Sequence, residues 1–279
     1  MKVGIYSVLT GSTLPVPFLA RAIEERGFDS MWVPEHSHIP LTSKYPGGIQ
    51  QITREYGHTL DPFVALSVAA GATTRIKLGT GICLLTQRDT IQTAKAVATL
   101  DVVSNGRMLF GVGGGWNKPE MENHGTTYAT RFARLEEQLA ALKVIWAEDE
   151  PSFRGEQIRF EKMWCWPKPV SKPHPPILIG GESDHTLRRV VAHADGWLPR
   201  MRDPKMVLGQ IAKLRSFAQA AGRDPRTISI SAFGLQARKE AIEEFREAGV
   251  DRAVLALMPD SEAETLKRLD KYAELSRNV

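Results

Sequence analysis

The stretch R-M-L-F-G-V-G-G-G-W-N at residues 107–117 carries an apolar segment, Met108 to Val112, straight into three consecutive glycines and a tryptophan. Three glycines in a row give up more backbone entropy on folding than a plain connection requires. The composition therefore points to main chain that turns sharply or lets another group come close. Such a strand end is either the wall of a ligand site or a bulge or turn without a ligand. The rest of the chain bears on that choice, because several other predicted strands also end in glycine or in reactive polar residues.

Upstream, Asp89 to Ser104 reads as a helix with Ile91, Ala94, Val97, Ala98 and Val102 inward, closed by Asn105-Gly106. Before it, I-K-L-G-T-G-I-C-L-L at 76–85 is a strand whose interior Gly79 and Gly81 suggest a bulge or the close approach of a flat ligand. The helix ahead of that strand opens on Asp61 as cap and Pro62 at its first position. Lys2 to Leu9 is a strand, and Pro15 and Pro17 lead into a helix that buries Leu19, Ala20 and Ile23. Gly27 ends this helix, with Ile23 and Phe28 as the apolar pair of a Schellman cap, and the next strand delivers Pro34-Glu35-His36-Ser37-His38. The same punctuation returns with Phe245, Gly249 and Val250 ahead of the strand Ala253 to Leu257.

Downstream, residues 118–127 form an irregular or short helical linker. Phe132, Leu135, Leu139, Leu142, Ile145 and Trp146 then recur at the spacing of a long amphipathic helix. Two excursions interrupt the alternation. Ile39 to Leu60 has no steady period and, at that length, reads as a lid or substrate wall. Asp149 to Pro176 holds a small hairpin around Gly155 and a proline-extended stretch in which Trp164 and Trp166 read as packing plugs.

Strand candidates centred near residues 5, 31, 78, 110, 178, 197, 230 and 255 are separated by helices, and none is paired by a tight hairpin. Eight such units in 279 residues predict one domain over 1–279, a closed (β/α)₈ TIM barrel with excursions after the second strand and before the fifth. Trp197-Leu198 is very short for a strand, and an open sheet is the fallback. Charged residues at 24% and hydrophobic ones at 42% are globular values. No basic stripe with interleaved aromatics suggests nucleic acid, and no leader or apolar run of membrane length is present. With Cys83 and Cys165 unpaired by spacing, the expectation is a cytoplasmic protein that keeps both cysteines reduced.

A barrel of this kind places ligands at the carboxyl ends of its strands. Those ends carry Ser7, His36, the 79–81 and 113–116 segments, Gly180-Gly181, Arg200 and Met258: one histidine, much glycine and few acids. There is no metal motif, since His36 and His38 have no evident third partner. Glu35 has no second carboxylate for glycoside hydrolysis, and no G-x-S-x-G occurs. What remains suits a planar or phosphorylated molecule held by backbone groups, with redox chemistry supplied by a cofactor. Gly180-Gly181-Glu182-Ser183 before a helix reads as a phosphate cradle or as an ordinary turn with a serine cap.

Five segments together resemble the bacterial-luciferase-like family of flavin monooxygenases and deazaflavin-dependent oxidoreductases. They are G-F-D-S-M-W-V-P-E-H (27–36), A-A-G-A-T-T-R-I-K-L-G-T-G-I (69–82), T-L-D-V-V-S-N-G-R (99–107), G-V-G-G-G-W-N (111–117) and P-K-P-V-S-K-P-H-P-P-I-L-I-G-G (167–181). The last of these, with H-A-D-G-W-L-P at 193–199, resembles the coenzyme-F420-dependent branch. The resemblance implies a homodimeric barrel whose flavin or deazaflavin ring lies against Gly79-Thr80-Gly81, where the family often has a non-proline cis peptide. It further implies His36 as the proton-handling residue with Glu35 before it, and Gly180, Gly181 and Ser183 near the coenzyme phosphate. Gly113, Gly114 and Trp116 complete the expected cofactor wall.

The function expected is hydride transfer between F420 and a small organic substrate, with a flavin reductase or F420-reducing enzyme as redox partner. The alternatives are an FMN-dependent monooxygenase and a barrel that binds flavin without turnover. The longer anionic tail of F420 would need a basic path, for which Lys44 and Arg54, or Lys168 and Lys172, are available.

Overall fold

In the computed structural model, which describes residues 1–44, 54–200 and 204–277, the repeated helix-to-strand joints set the architecture. Gly27 and Gly249 sit at φ 81° and 79°. The following amides close the caps, Phe28 N–H on Ile23 O at 3.4 Å and Val250 N–H on Phe245 O at 3.0 Å. An aspartate stands one residue further on, and a third copy of this bracing occurs at Asp195. The Asp195 and Asp251 carboxylates accept the N–H of Ile177 and Ile230 at 2.8 and 2.7 Å, so each pins the entrance of the preceding strand.

The strands are β1 (Lys2–Ser7), β2 (Ser30–Val33), β3 (Lys77–Thr80), β4 (Cys83–Leu84), β5 (Met108–Gly113), β6 (Phe153–Arg154), β7 (Arg159–Phe160), β8 (Ile177–Gly180), β9 (Gly196–Leu198), β10 (Ser229–Leu235) and β11 (Arg252–Leu257). The helices are α1 (Val16–Glu25), α2 (Pro62–Ala72), α3 (Thr90–Val103), α4 (Lys118–Asn123), α5 (Arg131–Ala147), α6 (Asp184–His193), α7 (Pro204–Ala220), α8 (Lys239–Glu247) and α9 (Glu262–Arg277). Parallel pairing runs β1-β2-β3-β5-β8-β9-β10-β11 and returns to β1, which closes the expected eight-stranded α/β barrel; even the three-residue β9 is a full member. β6 and β7 form the hairpin around Gly155 outside the ring, held by Glu137, which accepts the N–H groups of Glu156, Gln157 and Ile158.

Large side chains fill the layer between strands and helices, while a second cluster of Trp32, Leu109, Leu178, Leu198, Phe233 and Val254 draws one residue from each of six strands. Arg107, just before β5, is buried without a carboxylate. Its guanidinium instead donates to Ala70 O and Thr73 O at the end of α2, to Ser104 O at the end of α3 and to Ile76 O just before β3.

Two expectations change. The segment 76–85 is two strands, broken at Gly81-Ile82, and the non-proline cis peptide joins those two residues, one step beyond Gly79-Thr80-Gly81. Trp164 and Trp166 are not plugs: they are 82% and 54% exposed, while Cys165 between them is buried. Extended chain turns alternate residues to opposite sides, so one inward cysteine sends both indoles outward. Of the first excursion, residues 45–53, including Pro46, Gly47 and Gly48, lie outside the described residues. The described part ends in a single 3₁₀ segment, Arg54–His58, and a bridge between Thr59 and Thr10.

Candidate active site

β2 is buried along its whole length and carries the chain to His36, whose carbonyl is anchored by the Thr59 hydroxyl at 3.0 Å. The imidazole is buried, with its edges toward Tyr56 and Trp116 at centroid distances of 5.5 and 5.4 Å. Its Nδ1 lies 2.7 Å from Oε2 of Glu120, a carboxylate with no exposed surface. Glu120 also accepts the Ser37 N–H at 3.0 Å and the Asn117 amide at 3.3 Å. With Nδ1 committed to a carboxylate, Nε2 is the ring nitrogen left to exchange a proton.

Glu120 was invisible to a search confined to strand ends, because it enters on α4, the short helix after β5. The available signal was its place three residues after Asn117, beside the buried Met121.

Glu35, the acid before His36, has its carboxylate engaged by other partners. It lines the cavity, but its carboxylate accepts the Leu84 N–H at 2.6 Å and Arg88 Nε at 2.5 Å, and Arg88 reaches on to Asp61 at 2.6 Å. Burial opposes the Arg88 charge, yet Glu35 more than offsets it and holds the guanidinium above its ordinary pKa. Burial, and then Glu35, pushes the adjacent Cys83 thiol well up, so it is a neutral packing group. Glu35 thus fastens β4 and the turn after it beneath the cavity.

The cavity has a volume of about 310 Å³, within the range of small-molecule sites. It collects His36, Glu35, Gly81, Gly113, Gly114, Trp116, Gly180 and Gly181 from the expected set. Gly79 and Thr80 lie beneath it: a Cβ on Gly79 would fall 2.2 Å from Trp32, and Thr80 Oγ1 donates to Gly111 O at 2.7 Å. Ser7 and Met258 line a different, much smaller hollow.

The glycines make room first for the protein itself. A Cβ on Gly180 would come within 1.9 Å of Ile82 Cδ1, one on Gly113 within 2.9 Å of Ile82 Cγ2, and one on Gly81 within 2.4 Å of Phe233. Ile82 therefore forms a ledge at the break between β3 and β4.

At the other end stands α6. Ser183 is its N-cap, its hydroxyl 3.2 Å from Thr186 N, and it does not line the cavity; Thr186 does. Gly181, at φ 115°, accepts the Trp197 indole N–H at 2.7 Å. Glu182 faces the cavity and accepts the Arg200 N–H at 2.6 Å. Burial pushes its carboxyl above the ordinary carboxylate range, against the lowering effect of Arg200. Lys168, one of the cations expected to line a path for an anionic tail, is engaged elsewhere. Lys168 caps the last carbonyls of α5, Ile145 O and Glu148 O, and so lies on the route into the amino end of β8, away from the cavity.

An apolar ledge, aromatic edges and a helix N-terminus at one end fit a flat ring bearing a phosphate, with Glu182, a carboxylate of raised pKa, lining that end and Asp184 in the first turn of the helix. Among the described residues no three His, Cys, Asp or Glu side chains converge as a metal group, and no helix is long and apolar enough to cross a membrane.

Comparison with known proteins bears on the family of the chain. The chain is 37% identical over 250 residues to a functionally uncharacterized protein of Mycobacterium tuberculosis, covering 88% of this chain and 87% of that one. It is 27% identical over 212 residues to the F420-dependent hydroxymycolic acid dehydrogenase of the same organism, covering 75% of this chain and 55% of the relative. The crystal structure of monooxygenase RslO1 from Streptomyces bottropensis superposes with a TM-score of 0.81 at 21% identity and full coverage of both chains. Residues 16–278 match the family described as luciferase-like monooxygenase, so this chain belongs to that family of barrel oxidoreductases, whose cofactors are flavins or deazaflavins.

Proposed function

We propose that the protein is an F420-dependent oxidoreductase that moves hydride between the deazaflavin and a small organic substrate. The observation that carries this reading is the buried His36–Glu120 pair on the wall of a cavity that also meets the start of α6. The coenzyme, when bound, supplies or accepts the hydride. Gly180, Gly181 and the first turn of α6 would hold its phosphate, and Ile82 and Gly113 would back its ring. His36 would give a proton to, or take one from, the substrate oxygen through Nε2, while Glu120 fixes the ring and balances its charge. Tyr6, Tyr56 and Trp116 keep this end of the cavity largely apolar, which suits a substrate with one polar group to offer the histidine.

The choice of F420 is supported by the 27% identical relative that uses it and by the 167–181 segment. The likeness to a monooxygenase structure favours the second reading, FMN with oxygen as co-substrate. Titration of the coenzyme-free protein with F420 and FMN at two salt concentrations separates them: tighter F420 binding is expected, and tighter FMN binding with FMN-dependent oxygen consumption would reverse the assignment. A homodimer in the cytoplasm belongs to the same proposal. Exposed Val64 and Val68 on α2 and Val102 and Val103 on α3 supply an apolar face for it, and sedimentation equilibrium measures it.

A further inference from the structure

His36 is a wall between two cavities. Behind it lies a second, polar hollow of about 360 Å³ that it shares with Glu35, Ser37, Gln87, Arg88 and His124. We propose that Glu120 and Ser37 form a proton relay that connects His36 to solvent through two surface imidazoles, His124 and His38; this rests on the reading of His36 as the proton-exchanging residue.

The hydrogen bonds are continuous. Nδ1 of His36 meets Oε2 of Glu120 at 2.7 Å, and the other carboxylate oxygen, Oε1, lies 3.4 Å from the Ser37 hydroxyl. That hydroxyl is 2.7 Å from His124 Nε2 and 2.8 Å from His38 Nδ1. Ser37 and His124 are exposed, whereas Glu120 is fully buried.

The donor inventory gives the chain a direction. The Asn123 amide donates to His38 Nε2 at 2.8 Å, so the neutral His38 ring carries its proton on Nδ1 and donates to Ser37. The single Ser37 hydroxyl proton then has two acceptors to choose between, His124 Nε2 and Glu120 Oε1. When His124 Nε2 is protonated, the hydroxyl proton is directed to Glu120; when it is not, the hydroxyl turns back.

For reduction of a carbonyl by the reduced deazaflavin, hydride forms the new C–H bond and the C–O π electrons take the proton from His36 Nε2. Nδ1 then takes the proton shared with Glu120 Oε2, Oε1 takes the hydroxyl proton of Ser37, Ser37 takes one from His124, which water replaces, and exchange of the ring from its Nδ1–H to its Nε2–H tautomer resets His36. One hydride from the coenzyme and one proton from solvent are consumed per turnover, and oxidation of an alcohol runs the same chain outward.

The test uses Ser37→Ala, which removes the hydroxyl but keeps the Ser37 N–H on Glu120, with Ser37→Thr as the conservative partner. In coenzyme-free protein labelled with nitrogen-15 histidine, exchange of the His36 imidazole proton with water is expected to slow roughly tenfold or more in Ser37→Ala and to recover in Ser37→Thr. With reduced F420, Ser37→Ala should turn over more slowly, show a larger solvent deuterium isotope effect, respond to added imidazole, and bind the coenzyme as before. Exchange and isotope effect equal to wild type, both in Ser37→Ala and in a His38→Gln/His124→Gln double variant, would overturn the relay. Slowed exchange in a protein that never turns over with F420 would uphold the relay and reject the coenzyme assignment.

Discussion

The two long walls of the main cavity are built on opposite principles. One is the Ile82 ledge, where Gly81, Gly113 and Gly180 have no side chains and the protein's own Ile82 and Phe233 occupy the space. The other is the His36 wall, where a buried imidazole, two carboxylates and an arginine are satisfied by named partners. The ledge decides shape through exclusion of atoms, and the polar wall decides protonation through hydrogen bonds. Damage to each should therefore show in a different measurement.

The sharpest contrast comes from His36→Ala, expected to slow the chemical step roughly 100- to 10,000-fold while coenzyme affinity changes little. Stopped-flow kinetics beside calorimetric titration measures both, and unchanged turnover in a folded variant would remove His36 from its role. Arg88→Met attacks the same wall from beneath by leaving Glu35 buried without its cation. A loss of about 2–4 kcal/mol in unfolding free energy is expected, on the order of the cost of breaking a buried pair. The double variant Arg88→Met/Glu35→Gln should recover much of it in urea melts; no recovery would mean that Arg88 stabilises through packing alone.

Gly180→Val tests the ledge. A side chain there meets Ile82 Cδ1 before it meets any ligand, so coenzyme affinity should fall about 10- to 100-fold through displacement of the ledge, and Ile82→Ala in the same chain should restore part of it. Affinity unchanged by Gly180→Val would show that the ledge does not contact the coenzyme.

The smallest effect concerns Glu182, whose pKa is raised and which lines the cavity near α6, the end proposed for the phosphate. Above that pKa the carboxylate is charged and repels an anionic coenzyme; below it the repulsion vanishes. Coenzyme affinity should therefore rise as pH falls through the raised value, and Glu182→Gln should bind more tightly at neutral pH, by on the order of 1 kcal/mol, with a flatter pH profile. Equal pH profiles would place the phosphate elsewhere.

Much of this was legible in advance because it is local. Helix caps at Asp61 and Gly27, and the alternation of helical period with short apolar runs, are written in residues close together in the chain. His36 was legible for the same reason, standing at the end of a buried strand. Its partner was not, since Glu120 is 84 positions away and arrives on a helix rather than a strand end.

The glycines show the division most clearly. Sequence alone marked 79–81, 113–115 and 180–181 as places where the backbone turns sharply or comes close to another group, because glycine supplies both missing volume and free dihedrals. Only the tertiary structure decided what fills that volume: Trp32 at Gly79, Ile82 at Gly113 and Gly180, Phe233 at Gly81. The same holds for charge. Sequence supplied His36, Glu35 and Glu120, and the fold gave Glu35 to Arg88 and Glu120 to His36. A carboxylate in a low-dielectric interior must find a partner, and which partner lies within reach is a property of how distant segments meet in space.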